Sequence, residues 1–177
     1  MSDTPRADSF TFAMGDYDAT FPCDRLYVKN HMWARPADPD QAWHDMLSDQ
    51  QPLQSPTTLR FGLTQYAVRL LQDVYFLDWE LDCPSTIKQR QMIGSIESKK
   101  AESDLYAPAA GTLTQINQAV LDNPSLINAD TYQAGWLFAM ELTAEAVAGL
   151  LAPESYRELL DQAWVVAQRT IKGQANL

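Results

Sequence analysis

Apolar and polar residues alternate with a period of two over most of the middle of the chain, the signature of half-buried strands. Leu59-Arg60-Phe61-Gly62-Leu63-Thr64 alternates in this way. Val74 to Leu81 is the strongest strand, with Tyr75, Leu77, Trp79 and Leu81 expected on one face and Val74 and Phe76 on the other. Met92, Ile93 and Ile96 supply a further strand, Leu105-Tyr106-Ala107 and Leu113 to Ile116 two more, and Trp136 to Met140 a closing one. Leu26-Tyr27-Val28 is the first β-rich run. The period changes to 3.6 in two places. Thr64 reads as the N-cap of a short helix over Gln65–Gln72, with Tyr66, Leu70 and Leu71 at helical spacing. From Thr143 the chain reads as helical, with one apolar stripe through Tyr156, Leu159, Leu160, Ala163, Trp164, Ala167 and Ile171. Pro153 suits its first turn, Glu154 and Glu158 its positive end, Arg169 and Lys172 its last turns, and Gly173 its cap.

Two stretches carry no clear period. Residues 1 to about 22 mix Asp, Ser, Thr and Pro with the isolated aromatics Phe10, Phe12, Tyr17 and Phe21. They read as a flexible lead that drapes over the domain or packs on a partner. Residues 36 to about 58 are framed by Pro36, Pro39, Pro52 and Pro56 and contain Asp38, Asp40, Asp45 and Asp49. Within them Asp40 to Leu47 fits two helical turns, with Trp43 and Met46 offering an apolar contact to this chain or to another subunit. The resulting division is an N-terminal extension (1–24), a domain (25–142) and a C-terminal helical segment (143–177) packed on it.

Composition narrows the classes. At 177 residues and 46% hydrophobic, the chain suits a single core. A net charge of −10 argues against nucleic acid and anionic membranes and fits transient docking to basic patches on other proteins. No run is long enough to span a bilayer. The acidic first residues resemble neither a secretory signal nor a transit peptide, so a cytoplasmic location is expected. Cys23 and Cys83 are expected to be reduced thiols, and the spacing of His31 and His44 supports no metal site.

The polar centre at Glu97-Ser98-Lys99-Lys100-Ala101-Glu102-Ser103-Asp104 interrupts the strands around it and is too polar to bury, so it is expected at an exposed hairpin tip. Pro108 and Gly111 punctuate its far side. A lysine there can reach into solvent and into a partner's active site. Taken alone, a Lys-Lys pair among carboxylates is a solvated turn.

With its flanks, Glu97-Ser98-Lys99-Lys100-Ala101-Glu102-Ser103-Asp104-Leu105-Tyr106-Ala107-Pro108 resembles the lipoyl-attachment hairpin of the glycine cleavage system H protein, E-S-x-K-A-x-S-D-[LI]-Y-x-P. Lys100 falls on the lysine that carries lipoate in that family. Glu97, Gly94 and Gly111 fall on the glutamate and glycines that would shape the hairpin for a lipoate ligase or octanoyltransferase, with Asp104 beside them. The run from Gly62 to Asp73 resembles G-[IL]-T-x-[YF]-A-x-x-x-L-G-D, with Gln72 in place of the last glycine. Residues 115–128 and 130–137 resemble V-N-x-x-L-x-x-x-P-x-L-[IV]-N and D-P-Y-x-x-G-W-[LI], with Thr131 and Gln133 replacing a proline and a glycine. His31-Met32-Trp33 stands where the family has H-E-W, and Pro84 and Arg90 stand where it has turn glycines. The stretch 36–58 is then an insertion, since the family has a short turn there.

The resemblance implies a mainly β fold, a lipoyl/biotinyl-type barrel-sandwich hybrid with short helices and a C-terminal helix. It implies a carrier and not an enzyme, with no catalytic residues and lipoate amide-linked to Lys100. The arm would shuttle an aminomethyl group from a PLP-dependent glycine decarboxylase to an aminomethyltransferase, and dihydrolipoamide dehydrogenase would reoxidise it. Lys99 is expected to face away from Lys100 through strand alternation. The loss of the acid at Met32 removes one group that shelters the loaded arm in the family. A monomer or weak homodimer is expected. Two alternatives are an H-like lipoate carrier of another pathway, such as sulfur oxidation, and an unlipoylated interaction protein of the same fold.

Overall fold

In the computed structural model, residues 8–38 and 56–175 are described, with side chains as far as 169. The expected helix over Asp40–Leu47, with Trp43 and Met46, lies outside them.

The structure is mainly β and its strands form three antiparallel sheets. A two-stranded hairpin pairs β1 (Ser9–Met14) with β2 (Tyr17–Pro22). A six-stranded sheet has the order β3 (Leu26–Tyr27), β4 (Met32–Pro36), β5 (Thr57–Leu63), β11 (Phe138–Leu142), β10 (Gly111–Ile116), β7 (Ser85–Ile87). A three-stranded sheet has the order β6 (Val74–Trp79), β8 (Met92–Ser98), β9 (Glu102–Tyr106). The helices are α1 (Gln65–Leu71), α2 (Gln118–Asp122), α3 (Leu126–Ala129), α4 (Ala144–Ala148) and α5 (Pro153–Ala175).

Two cores hold these elements. An aliphatic one, with Leu59, Leu77, Ile93, Ile96, Leu105, Leu113 and Leu137, fills the space between the two larger sheets. The other is aromatic and lies beneath α5 and the N-terminal hairpin: Phe21, Tyr27, Trp33, Tyr66 and Tyr156 are all buried. Tyr27 stacks on Tyr156 with ring centroids 4.6 Å apart. The backbones of Tyr27 and Leu151 exchange two hydrogen bonds of 2.8 Å, tying β3 to the start of α5.

Four readings of the sequence change here. The flexible lead is a hairpin from Ser9 to Pro22, and its aromatics are the reason: Phe21 is fully buried and Phe10 stacks on it at 5.0 Å. The alternation in β6 breaks at a bulge between Val74 and Phe76, so Val74 and Leu77 point inward while Tyr75 and Phe76 are exposed. Gly173 does not cap α5, which continues through Ala175. The missing glycine after α1 is replaced by Gln72 itself, which takes φ 63°. Thr64 caps α1 as expected, its hydroxyl accepting from the Ala67 amide. Arg90, at a family glycine position, also has a positive φ of 65°. No disulfide joins Cys23 and Cys83.

Candidate functional site

The β8–β9 hairpin places Lys99 and Lys100 at its tip, both exposed. Glu97 pairs with Glu102, and the Ser98 amide donates to the Ala101 carbonyl at 2.9 Å, leaving the two lysines as the central residues of a tight turn. Such turns usually take residues with positive φ, because their twist then matches that of the strands. Neither lysine has one, so the turn needs help. Ser98 supplies part of it: its hydroxyl donates to the Ala101 carbonyl at 3.0 Å and accepts from the Ala101 amide at 3.2 Å.

The rest comes from the link between α1 and β6. The Lys99 amide donates to the Asp73 carbonyl at 2.8 Å, and the Lys100 amide to the Leu71 carbonyl at 3.4 Å. That link is braced from behind by Asn128. Its side-chain oxygen accepts from the Val74 amide at 2.9 Å, and its side-chain nitrogen donates to the Gln72 carbonyl at 2.8 Å. A chain of hydrogen bonds therefore runs from α3, through residues 71–74, to the backbone of the two lysines. The backbone is fixed while the side chains stay in water. Sequence reasoning missed Ser98 and Asn128 as supports, although Asn128 closes the L-[IV]-N run. It also predicted Lys99 on the opposite side from Lys100 by strand alternation; both are turn residues, to which that rule does not apply.

Of the other expected site residues, Glu97 and Asp104 lie on the outer face of the three-stranded sheet. Glu97 stands between Phe76 and Glu102 in one cross-strand row, and Asp104 beside Ser95 and Asp78 in the same-facing row. Phe76, Glu102, Asp104 and Asp78 are exposed, so Lys100 rises from an acidic surface with an aromatic on it. Gly94 lies inside β8, opposite Trp79, and a Cβ there would collide with the Asp78 carbonyl oxygen. Gly111 is outside the hairpin, in β10, where a Cβ would meet the Glu141 carbonyl oxygen and Leu142. Both glycines permit close backbone approach.

A groove of about 220 Å³ opens between β9 and α1. Leu71, whose carbonyl holds Lys100, lines it, with Met32, Leu63, Leu70 and Ile96. Asp104, Ser103, Asn30 and His31 give it polar edges, and Asn30 donates to the Tyr106 carbonyl at 3.1 Å. His31 has φ 66°, with Nδ1 2.9 Å from the Tyr156 hydroxyl, which is 3.0 Å from the Thr64 hydroxyl. Burial pushes the His31 imidazole down to about 4, so it is neutral near pH 7. Burial raises the Tyr156 hydroxyl far above its ordinary range.

The chain as a whole is similar to known proteins. The glycine cleavage H-protein family matches residues 52–163, which take in the hairpin, the groove's helix and the start of α5. The chain belongs to that family. It is 32% identical over 141 residues to the glycine cleavage system H protein of Kocuria rhizophila, covering 79% of this chain and 97% of that one. With that of Thermobifida fusca it shares 41% identity over 100 residues, 56% of this chain and 78% of the relative. The crystal structure of a glycine cleavage system H protein from Mycobacterium marinum superposes with a TM-score of 0.61 at 33% identity, covering 81% of this chain and 98% of that one. The fold is thus the H-protein fold. No helix among the described residues is long and apolar enough to cross a membrane.

Proposed function

We propose that the protein is the lipoyl carrier of a glycine cleavage system, with lipoate amide-linked to the Nζ of Lys100. The carrying observation is an exposed lysine side chain on a turn whose backbone is bonded to the Asp73 and Leu71 carbonyls. The residues fit the group. An acyl chain needs an accessible amine for attachment and an apolar surface within reach, and the groove lined by Leu70, Met32 and Ile96 includes Leu71, whose carbonyl accepts from the Lys100 amide. When bound, the dithiolane supplies the redox and group-transfer chemistry.

The chain's own residues do the rest. Ser98 and the 71–74 link keep the attachment point in one place, so partner enzymes meet the arm at a defined origin. Tethering raises the arm's effective concentration at each partner site. Glu97, Glu102, Asp104 and Asp78 present negative charge around the attachment point, which steers basic surfaces toward it. Gly94 keeps β8 and β6 close enough to hold the hairpin's shape, and Gly111 does the same for β10 and β11 beyond it. The partners of this reading are the PLP-dependent glycine decarboxylase, the aminomethyltransferase that accepts the aminomethyl cargo, dihydrolipoamide dehydrogenase, and a lipoate ligase or octanoyltransferase. In the groove, Met32 is fully buried where H-E-W has its acid, so Asp104 is the carboxylate that borders it.

Intact mass and peptide mapping of natively expressed protein test the reading. One lipoyl group on Lys100 is expected. A chain that stays unmodified when lipoate and ligase are supplied overturns it.

A further inference from the structure

Arginines gather on one face of the six-stranded sheet, in a chain whose net charge is −10. Arg35 on β4 and Arg60 on β5 are direct cross-strand partners. Like charges in that position repel and weaken a sheet. Arg25 adds a third charge close by, but it is committed: Nε donates to Asp24 at 2.8 Å, Nη1 donates to the Tyr132 carbonyl at 2.8 Å, and the guanidinium packs over Trp33 at 5.0 Å.

Arg35 and Arg60 are not satisfied in this way. Arg60 lies over Trp136 at 4.3 Å and Arg35 over Trp33 at 5.9 Å, and Arg35 Nη1 donates to Gln133 at 2.9 Å. The Nε–H of each is nevertheless buried with no acceptor among the described residues. Burial pushes the Arg35 guanidinium below its usual range, and the neighbouring Arg25 and Arg60 push in the same direction. The acids that oppose this are Asp24, which is engaged with Arg25, and Asp130, which accepts from the Ala134 amide at 3.1 Å. Indole faces behind both guanidiniums fix their planes and leave their N–H edges to point elsewhere.

We propose that Arg35 and Arg60 form a binding site for a phosphate-type oxyanion, either free phosphate or a phosphomonoester. Two guanidiniums on cross-strand partners match a phosphate dianion in charge, and the fork of Nη donors that each carries suits its oxygens. The site is independent of Lys100 and of the carrier function.

The test is thermal unfolding of the full-length protein titrated with inorganic phosphate, against chloride at equal ionic strength, with ³¹P line broadening as a direct readout. In the wild type a saturating rise in Tm specific to phosphate is expected. Arg35→Gln and Arg60→Gln should weaken the apparent affinity about tenfold or more, since each removes charged donors. In phosphate-free buffer either variant should unfold at the wild-type temperature or above, because it relieves the repulsion. Glycerol 3-phosphate distinguishes the sources: a shift matching that of phosphate assigns an ester ligand, and none assigns the free ion. If the glutamine variants do not fold, Arg60→Lys keeps the charge without the fork and should still bind more weakly. A wild type that responds to phosphate no more than to chloride overturns the proposal. So does any folded variant with unchanged affinity.

Discussion

Among the described residues Lys100 is engaged through its amide alone, so its side chain holds up nothing there. Lys100→Ala should therefore change stability by no more than about 0.5 kcal/mol in denaturant melts, while intact mass shows that no lipoyl group is added. Lys99→Ala should keep the modification. His31 makes a different prediction. Its folded pKa, about 4, lies below the unfolded value of 6.5. Its neutral form thus supports the fold fully above pH 6.5, and that support is lost as pH falls toward 4. Over that window the unfolded state binds more protons, and stability should drop by up to about 1.4 kcal/mol per pH unit from this group. Melts of wild type and His31→Gln between pH 4 and 7 should diverge in slope; parallel slopes would show that another group titrates. The exposed tip that carries Lys100 was legible in the sequence because its polar centre interrupts two apolar strands. The hydrogen-bond partner of His31 was not, because the Tyr156 hydroxyl that meets its Nδ1 lies 125 residues away.

At the scale of elements, the attachment turn depends on parts that share no strand with it. Asn128→Ala removes both hydrogen bonds that brace the 72–74 link and leaves a buried amide and carbonyl exposed to loss of pairing. A cost of about 1–3 kcal/mol is expected. If the brace matters for the tip, ligase-catalysed lipoylation should slow more in this variant than in a surface control of equal stability. An equal rate would confine Asn128 to a structural role. Apolar runs located β5, β8, β10 and β11 to within a few residues, but gave no signal for the three-residue β7. Periodicity failed in β6, where the bulge at Tyr75 shifts the phase by one residue. It also failed at the tip, where strand rules were carried two residues too far.

For the whole molecule, the N-terminal hairpin closes the aromatic core: Phe21 meets Tyr156 at 5.6 Å and Tyr27 at 6.3 Å. Phe21→Ala should cost about 3–5 kcal/mol, read from denaturant midpoints. Lys100, held through a separate core, should still be lipoylated in the fraction that folds. The hairpin escaped the sequence reading because its scattered aromatics find their partners only in three dimensions, on β3 and α5. The overall architecture was readable from the family-like runs alone, since those runs contain the turns that fix the order of the strands.

The acceptors for the two lysine amides are main-chain carbonyls, which no point substitution can delete. Lys100 is thus planted like a mast on a stone footing, and the reach of any group it bears is set by that group's own length. A loosened footing, as in Ser98→Gly, would let the mast sway, spread the same cargo through a larger volume and thin it out at every berth it serves.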